Sequence, residues 1–479
     1  MSVFFFSCVA SIAIIRLLLI SKLAWRIAVD VPNDRSLHNR PIPRIGGWGV
    51  IPAAIAAAFF FGAVDWPLAG LATLLFVVSY LDDRVGLPIL VRLTTHAIVS
   101  VAWLTFGSAS LPLVLAAIAA IAIIWWINLY NFMDGANGLA GGMALIGFLA
   151  YAVAAASHDM VPLTVWSLAL AGASAGFLLF NFSSARVFLG DCGSVPLGFF
   201  VGALGLWGWS GGAWPSWFPF LVFSTFFLDA TVTLLRRITN GEPFWRAHAE
   251  HYYQRLIRSG WSHPRTALRE YLLMAASAGL ATAMLTWSVS AQYAGLVAAA
   301  GVFVGVAIVI DRRWQQVEQQ AGKASLAWPK LQYVLIPALL IGVAAIAVIP
   351  LRDASRYPYI IIEAPDGLRA IFLHRGRPKE AQCEADVAKF VTTIQAKCGA
   401  CKIVEKNCLD RLEPKQSRML AAAPLDVPSA RLPDGVVTFN SENPNIAIAV
   451  CRESERQALM GPKDGFVECY LPGQPRKLM

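Results

Sequence analysis

Apolar runs alternate with short polar segments along the first 350 residues, and the runs have the length of membrane helices. About twelve occur, near residues 3–24, 47–64, 66–81, 88–106, 110–127, 138–156, 161–180, 195–210, 217–235, 271–289, 292–310 and 331–350. Spanning a bilayer takes roughly 20 apolar residues; the second and third runs are short of that. The first run contains Arg16 and has neither a basic start nor a small-residue cleavage site, so it predicts a retained helix instead of a secretory leader. After Pro350 the pattern changes. "DASRYPYIIIEAPDGLRAIFLHRG" opens a polar, mixed region in which "YIII", "GVVTFN", "NIAIAVC" and "FVECYL" predict strands and "EADVAKFVTTIQAK" predicts a helix. The expected fold is an all-α polytopic membrane protein of about 11–12 transmembrane helices over residues 1–350. A small α/β extracytoplasmic domain is expected over residues 351–479.

Composition sharpens this picture. The chain of 479 residues is 57% hydrophobic and only 14% charged, where a soluble domain carries about a quarter charged residues. Basic residues then orient the spans. The odd-numbered loops hold Lys22, Arg26, Arg35, Arg40 and Arg44; Arg84 and Arg92; Arg186; Arg236, Arg237, Arg246, Arg255, Arg258, Arg265 and Arg269; and Arg312, Arg313, Lys323 and Lys330. The even loops ("GAVDW", "GSAS", "SHDM", "SGGAWPSW", "VSAQ") hold no Lys or Arg. The odd loops are therefore expected in the cytoplasm, with both termini outside. The pI of about 9.2 reflects this asymmetry and gives no reason to invoke nucleic acid. Cys8 and Cys192 lie in the membrane part, whereas Cys383, Cys398, Cys401, Cys408, Cys451 and Cys469 lie in the tail. An even number of cysteines outside the cytoplasm predicts disulfides. The rival reading is zinc, since Cys398-Gly-Ala-Cys401 has ligand spacing, but there is no second such pair.

The candidate chemistry lies on the basic side alone. Five polar clusters occur there: "PNDRSLHNRPIPRIGG" (32–47), "YLDDRVGLP" (80–88), "NLYNFMDGANGLAGG" (128–142), "VFLGDCGSVPLG" (187–198) and "FWRAHAEHYYQRL" (244–256). Singly, each has a plain explanation. An Asp at a span end caps a helix, paired aspartates start a turn, and "HAEH" puts two histidines on one helical face without the HExxH pattern. Together they are harder to dismiss, because ionisable groups near hydrocarbon are costly and usually functional. Carboxylates and asparagines suit Mg²⁺ or Mn²⁺, and arginine suits bidentate phosphate contact. Asp229, inside the ninth run, reads either as a site residue or as one paired within the bundle.

The order of these five motifs resembles the polyprenyl-phosphate N-acetylhexosamine-1-phosphate transferases. The likeness covers roughly residues 1–310 and is most specific in "NFMDGANGLAGG" followed by "GDCGS". "PNDRSLHNRPIPRIGG" and "HAEHYYQ" look like the branch that begins O-antigen or exopolysaccharide repeats. The resemblance implies transfer of a sugar-1-phosphate from a UDP-N-acetylhexosamine to undecaprenyl phosphate, releasing UMP at the cytoplasmic face of a bacterial inner membrane, with Mg²⁺. It implies catalytic roles for Asp82, Asp83, Asp134, His248 and His251. It implies substrate contacts for His38, Arg44, Asn128, Asn131, Asn137 and Arg255, and metal binding by Asp191 with Asp82 and Asp83. Two positions depart from the pattern: Gly86 stands where many relatives carry another acid, and Asn137 stands where the phospho-MurNAc-pentapeptide translocase has a further Asp.

Two other classes compete. A secondary transporter would carry its acids near mid-membrane within internal repeats; here they cluster at span ends and no repeat is visible. An inactive relative acting as a receptor or assembly module through its tail is the second. The tail extends past the usual family end, and a periplasmic protein partner is its expected role.

Overall fold

The computed structural model describes residues 1–32, 40–107, 111–182, 184–243, 248–320, 332–346, 357–374, 380–409, 416, 419, 425–432, 435–441, 443–460 and 468–472. The chain separates into two compact units, Met1–Ile349 and Pro350–Met479.

The first unit is built from α1 (Ser2–Ile20), α2 (Ala24–Ile27), β1 (Val29–Asp30), β2 (Ile42–Pro43), α3 (Gly46–Phe60), α4 (Trp66–Val85), α5 (Ile89–Phe106), α6 (Leu113–Phe132), α7 (Leu139–Ala156) and α8 (Val161–Asn181). It continues with α9 (Asp191–Ser210), α10 (Trp217–Val222), α11 (Ser224–Thr239), α12 (Tyr252–Arg258), α13 (His263–Met284), α14 (Val289–Gln320) and α15 (Gln332–Ile346). Every apolar run of the sequence carries a helix, the ninth being split between α10 and α11. Among the described residues, seven helices (α1, α5, α6, α7, α8, α9 and α14) are long and apolar enough to cross a membrane on length and composition alone, and α3 is apolar but shorter. Large apolar side chains on several of them, among them Ile98, Val101, Ile121, Val153, Leu179 and Val309, are exposed. On a multi-pass membrane protein such side chains face lipid.

Helix α9 is the hub. It packs on α3, α4 and α6, and almost all of its residues are buried. Gly198 and Gly202 bring it unusually close to α6: a Cβ on Gly198 would lie 2.5 Å from the Trp126 carbonyl oxygen, and one on Gly202 would lie 3.2 Å from Ile123 Cα. Small residues spaced by four let membrane helices approach in this way. The consequence is functional, because the close contact brings the C-terminal end of α6 to the N-terminal end of α9.

Among the described residues, the second unit is a six-stranded antiparallel sheet with two helices. Its elements are β3 (Tyr357–Glu363), β4 (Arg369–His374), α16 (Glu380–Lys397), β5 (Lys402–Leu409), β6 (Ser429–Leu432), β7 (Gly435–Asn440), α17 (Pro444–Met460) and β8 (Glu468–Tyr470). The strand order is β5-β3-β4-β7-β6-β8. Three disulfides join Cys383 to Cys408, Cys398 to Cys401, and Cys451 to Cys469, so the Cys398/Cys401 pair is a disulfide and not half of a zinc site. One strand expectation is corrected: "NIAIAVC" lies in α17. Its alternation is superficial, since Ile446, Ala447, Val450 and Cys451 all pack against the sheet, the i, i+1, i+4, i+5 spacing of a helix face. Pro444 at the first helical position favours that choice.

Candidate active site

The short β1–β2 ladder pairs Asp30 with Ile42 and so sets Asp30 beside Arg44. The chain after β2 is then stitched to the segment before α9. Phe188 N–H donates to the Pro43 carbonyl at 2.9 Å, Gly46 N–H to Phe188 at 2.8 Å, and Gly47 N–H to Leu189 at 2.9 Å. This stitching holds Arg44 against the N-terminus of α9. Its guanidinium donates to Asp30 at 2.7 Å and to Asp83 at 3.1 Å. Burial alone would lower the Arg44 pKa; Asp30 and Asp83, with Asp191 beyond, outweigh it and raise the value, so the group stays charged.

Asp83 also accepts the Cys192 N–H at 3.3 Å, which ties the end of α4 to the first turn of α9. Gly190 precedes that turn with φ +73°, and a Cβ there would fall 3.0 Å from Asp83 Oδ2. The left-handed backbone and the close carboxylate both favour glycine. Across the α6–α9 contact, Asn131 Nδ2 donates to Asp191 at 2.9 Å and to Ser194 Oγ at 3.0 Å. Arg44, Asp83, Asn131 and Asp191 thus converge from four segments. Asp134 belongs to the same electrostatic group. Enclosure in the α6–α7 loop pushes its carboxyl well above the usual carboxylate range, Asp191 and Asp83 push it further, and Arg44 opposes.

Adjacent residues on a helix point about 100° apart, and Asp82 accordingly faces elsewhere. It accepts Leu87 N–H at 2.6 Å and the Arg92 guanidinium at 3.0 Å. Both Asp82 and Arg92 line a cavity of about 340 Å³ between α4, α5, α6, α9 and α11. Its walls are apolar (Leu75, Val78, Leu93, Ile124, Val195), while His96, Asn128, Asn131 and Asp191 join Asp82 and Arg92 on its polar side. Asn128 Nδ2 lies 3.3 Å from His96 Nδ1 and donates to the Ile124 carbonyl at 2.7 Å. Asn131 and Asp191 therefore belong to both the Arg44–Asp83 cluster and the cavity.

The histidine segment forms a third part. It is not helical through His248: α12 starts at Tyr252, with His251 as its N-cap, and the two imidazoles lie 5.0 Å apart. His251 stacks on Phe132, a cavity wall residue, at 6.5 Å. Tyr253 O–H donates to the Phe132 carbonyl at 3.4 Å and packs on Gly135. Burial, with His251 and Arg237 adding, pulls the His248 pKa down to about 4. Asn137 is held through its backbone, whose N–H donates to His263 Nδ1 at 3.3 Å.

One expected site residue is engaged elsewhere in the fold. Arg255, implied as a phosphate contact, is 1% exposed and ion-paired to Asp311 of α14 at 2.7 Å. Its geometry is that of a structural tie between α12 and α14. His38 lies outside the described residues. Conversely, Arg92 and His96 emerge as cavity residues that sequence reasoning did not single out. Arg92 was masked by its place in a basic loop. Its position ten residues after Asp82, at the start of the next helix, was the available signal.

Comparison with known proteins points to one family. Residues 66–208 match the profile of glycosyl transferase family 4. A "probable undecaprenyl-phosphate N-acetylglucosaminyl 1-phosphate transferase" of Bacillus subtilis (strain 168) is 29% identical over 286 residues, covering 55% of this chain and 80% of that protein. The decaprenyl-phosphate N-acetylglucosaminephosphotransferase of Mycolicibacterium smegmatis is 30% identical over 293 residues, covering 51% and 72%. The undecaprenyl-phosphate alpha-N-acetylglucosaminyl 1-phosphate transferase of Escherichia coli (strain K12) is 27% identical over 290 residues, covering 54% and 76%. The aligned relatives, the family profile over α4–α9 and the polar clusters joined at the ends of those helices place this chain in the polyprenyl-phosphate N-acetylhexosamine-1-phosphate transferase superfamily.

Proposed function

We propose that the chain transfers an N-acetylhexosamine-1-phosphate from a UDP-sugar to undecaprenyl phosphate at the cytoplasmic membrane face and thereby starts a lipid-linked glycan of the O-antigen or exopolysaccharide type. The observation that carries the proposal is the sharing of Asn131 and Asp191 between a charged cluster and an apolar-walled cavity. A donor diphosphate needs the first and a prenyl phosphate needs the second, and the reaction needs the two within bonding reach.

A lipid-phosphate oxygen attacks the β-phosphorus of the nucleotide sugar. The new P–O bond forms as the bond to the UMP oxygen breaks, and UMP leaves with that electron pair. A phosphate monoester has its second pKa near 6, so the acceptor is largely ionised at neutral pH and a general base is not essential. Arg92 is suited to orient the lipid phosphate, and the permanently charged Arg44 to hold the donor. His248, kept neutral, can accept a hydrogen bond from a sugar or water hydroxyl. Positioning of this kind carries most of phosphoryl transfer.

The donor set fits Mg²⁺. Among the described residues no three of His, Cys, Asp and Glu form a ready-made cage. Mg²⁺ does not need one, because it binds through one or two carboxylates plus substrate phosphate and retained water. Asp83 and Asp191 would hold it, and Asp134 lies in their field. Burial comes first in pushing the Asp134 carboxyl up, with Asp191 and Asp83 adding to it, and a cation would answer the carboxylate part. When bound, the ion would neutralise the diphosphate and polarise its phosphorus.

The basic loops support a cytoplasmic site. The three disulfides support a tail on the oxidising side, the periplasm of a Gram-negative cell, where a protein partner can reach it. Release of UMP from a panel of UDP-N-acetylhexosamines by purified membranes tests the proposal. Turnover should require undecaprenyl phosphate and Mg²⁺ and vanish in Asp191→Asn. Nucleotide-sugar binding without turnover would instead favour the receptor reading.

A further inference from the structure

We infer that Asp229 is a positioning residue whose carboxylate holds the His248–His251 segment in place and fixes His251 with its proton on Nδ1, leaving Nε2 as an acceptor for a hydroxyl or N–H donor of the sugar nucleotide. The inference rests on the transferase reading above for the role of Nε2, but not for the geometry.

Asp229 lies midway along α11, in the membrane unit, and is 7% exposed. A carboxylate there is unstable unless it is met by donors. The arginines of its own helix are engaged with other acids: Arg236 with Glu250 at 3.2 Å, and Arg237 with Glu250 at 2.6 Å and Glu242 at 2.8 Å. Asp229 is met from a different part of the chain. Its Oδ1 accepts the Tyr252 N–H at 2.8 Å and its Oδ2 the Tyr253 N–H at 3.2 Å. These are the first two amides of α12, which have no partner within their own helix. The carboxylate thus does from across the fold what a local capping side chain would do. Oδ1 also lies 3.3 Å from His251 Nδ1 and accepts Thr233 O–H at 3.2 Å.

The tautomer follows. A carboxylate only accepts, so the nitrogen facing it carries the proton. Nε2 becomes the remaining hydrogen-bonding atom of a ring already stacked on Phe132 at the cavity wall. Removing Asp229 would free the imidazole to rotate and exchange tautomers, and would strand two amides of the helix that carries Tyr253 onto the Phe132–Gly135 turn.

The test has two arms on the full chain in lipid nanodiscs. The first is ¹⁵N NMR of ring-labelled histidine, with His251 assigned by difference from His251→Gln. Wild type should show Nδ1 protonated; an Nε2–H tautomer there would overturn the inference whether or not the chain is catalytically active. The second arm is a double-mutant cycle on kcat/KM. Asp229→Leu should lower it roughly 10²-fold. Asp229→Asn, which keeps an oxygen toward His251 and Tyr252, should lose under about 10-fold. In a His251→Ala chain Asp229→Leu should cost clearly less than it does in wild type, because only the placement of His248 and α12 is left to lose. A loss of equal size in that background would mean that Asp229 acts on folding and not through His251. Should wild type turn over no nucleotide sugar, the transferase reading fails while the NMR arm still decides the inference.

Discussion

Gly47→Ala tests whether the close stitching of the first loop to α9 is what builds the charged cluster. Gly47 lies against the backbone of Cys192 and Gly193. A methyl group there would lie 2.6 Å from the Cys192 carbonyl carbon and 2.7 Å from its oxygen, whereas ordinary contact begins at 3.4 Å. The atoms in the way are backbone, so no side chain can rotate aside. Relief takes a separation of about 1 Å between the loop carrying Arg44 and the helix carrying Asp191, set by the Gly193 nitrogen as the nearest atom. The Arg44–Asp83 contact, now 3.1 Å, lies beside that junction, because Asp83 also accepts the Cys192 N–H of α9. Overpacking of this kind costs about 1–3 kcal/mol, and a displacement near 1 Å at a phosphoryl-transfer site can cost roughly 10²-fold in rate. Gly47→Ala should therefore fold, melt somewhat lower, and release UMP about 10²-fold more slowly at saturating substrates. Gly70→Ala is the control, because a Cβ at that α4 position meets open space. Wild-type turnover in Gly47→Ala would refute the claim that this contact sets the site.

Three further outcomes follow from the geometry. Arg92→Leu should raise KM for undecaprenyl phosphate roughly tenfold, the worth of one lost charge-assisted hydrogen bond, with little change in KM for the nucleotide sugar, read from initial rates with each substrate varied. The folded pKa of His248, about 4, lies below the unfolded value near 6.5. Stability from this residue is therefore complete above about pH 6.5 and is lost as pH falls toward 4, so His248→Gln should flatten that part of the melting-temperature profile. Removing the Cys383–Cys408 disulfide, which closes 25 residues of chain, should destabilise the tail by about 3 kcal/mol, against about 1–2 kcal/mol for Cys398–Cys401; limited proteolysis of the intact chain reads the difference.

Much of this was legible in the sequence, for identifiable reasons. Hydrophobic runs in a membrane protein are long and nearly uncharged, so the helices of the first unit announce themselves. Polar clusters confined to one side stand out against that background, and Arg44, Asp83, Asn131 and Asp191 do meet. What could not be read was which neighbour each side chain faces. Asp82 and Asp83 look like one motif, yet the helical turn sends one to the cavity and the other to Arg44. Arg255 and Arg92 look alike as loop cations, but one is buried on Asp311 and the other opens onto the cavity. The glycines that bring α6 to α9 carry no chemistry of their own, and their meaning appears only in the contact. In the tail, α17 imitates a strand because Ile446, Ile448 and Val450 alternate, although its packed face is Ile446, Ala447, Val450 and Cys451.

The central claim is that phosphorus travels with the sugar. Donor UDP-N-acetylglucosamine labelled with ³²P at the β-phosphate distinguishes this from simple glycosyl transfer. Incubated with the purified chain, undecaprenyl phosphate and Mg²⁺, the label should move into the organic-phase lipid while unlabelled UMP accumulates, and other UDP-N-acetylhexosamines labelled in the same way should identify the preferred sugar. Label retained in released UDP, with sugar but no ³²P in the lipid, would contradict the account.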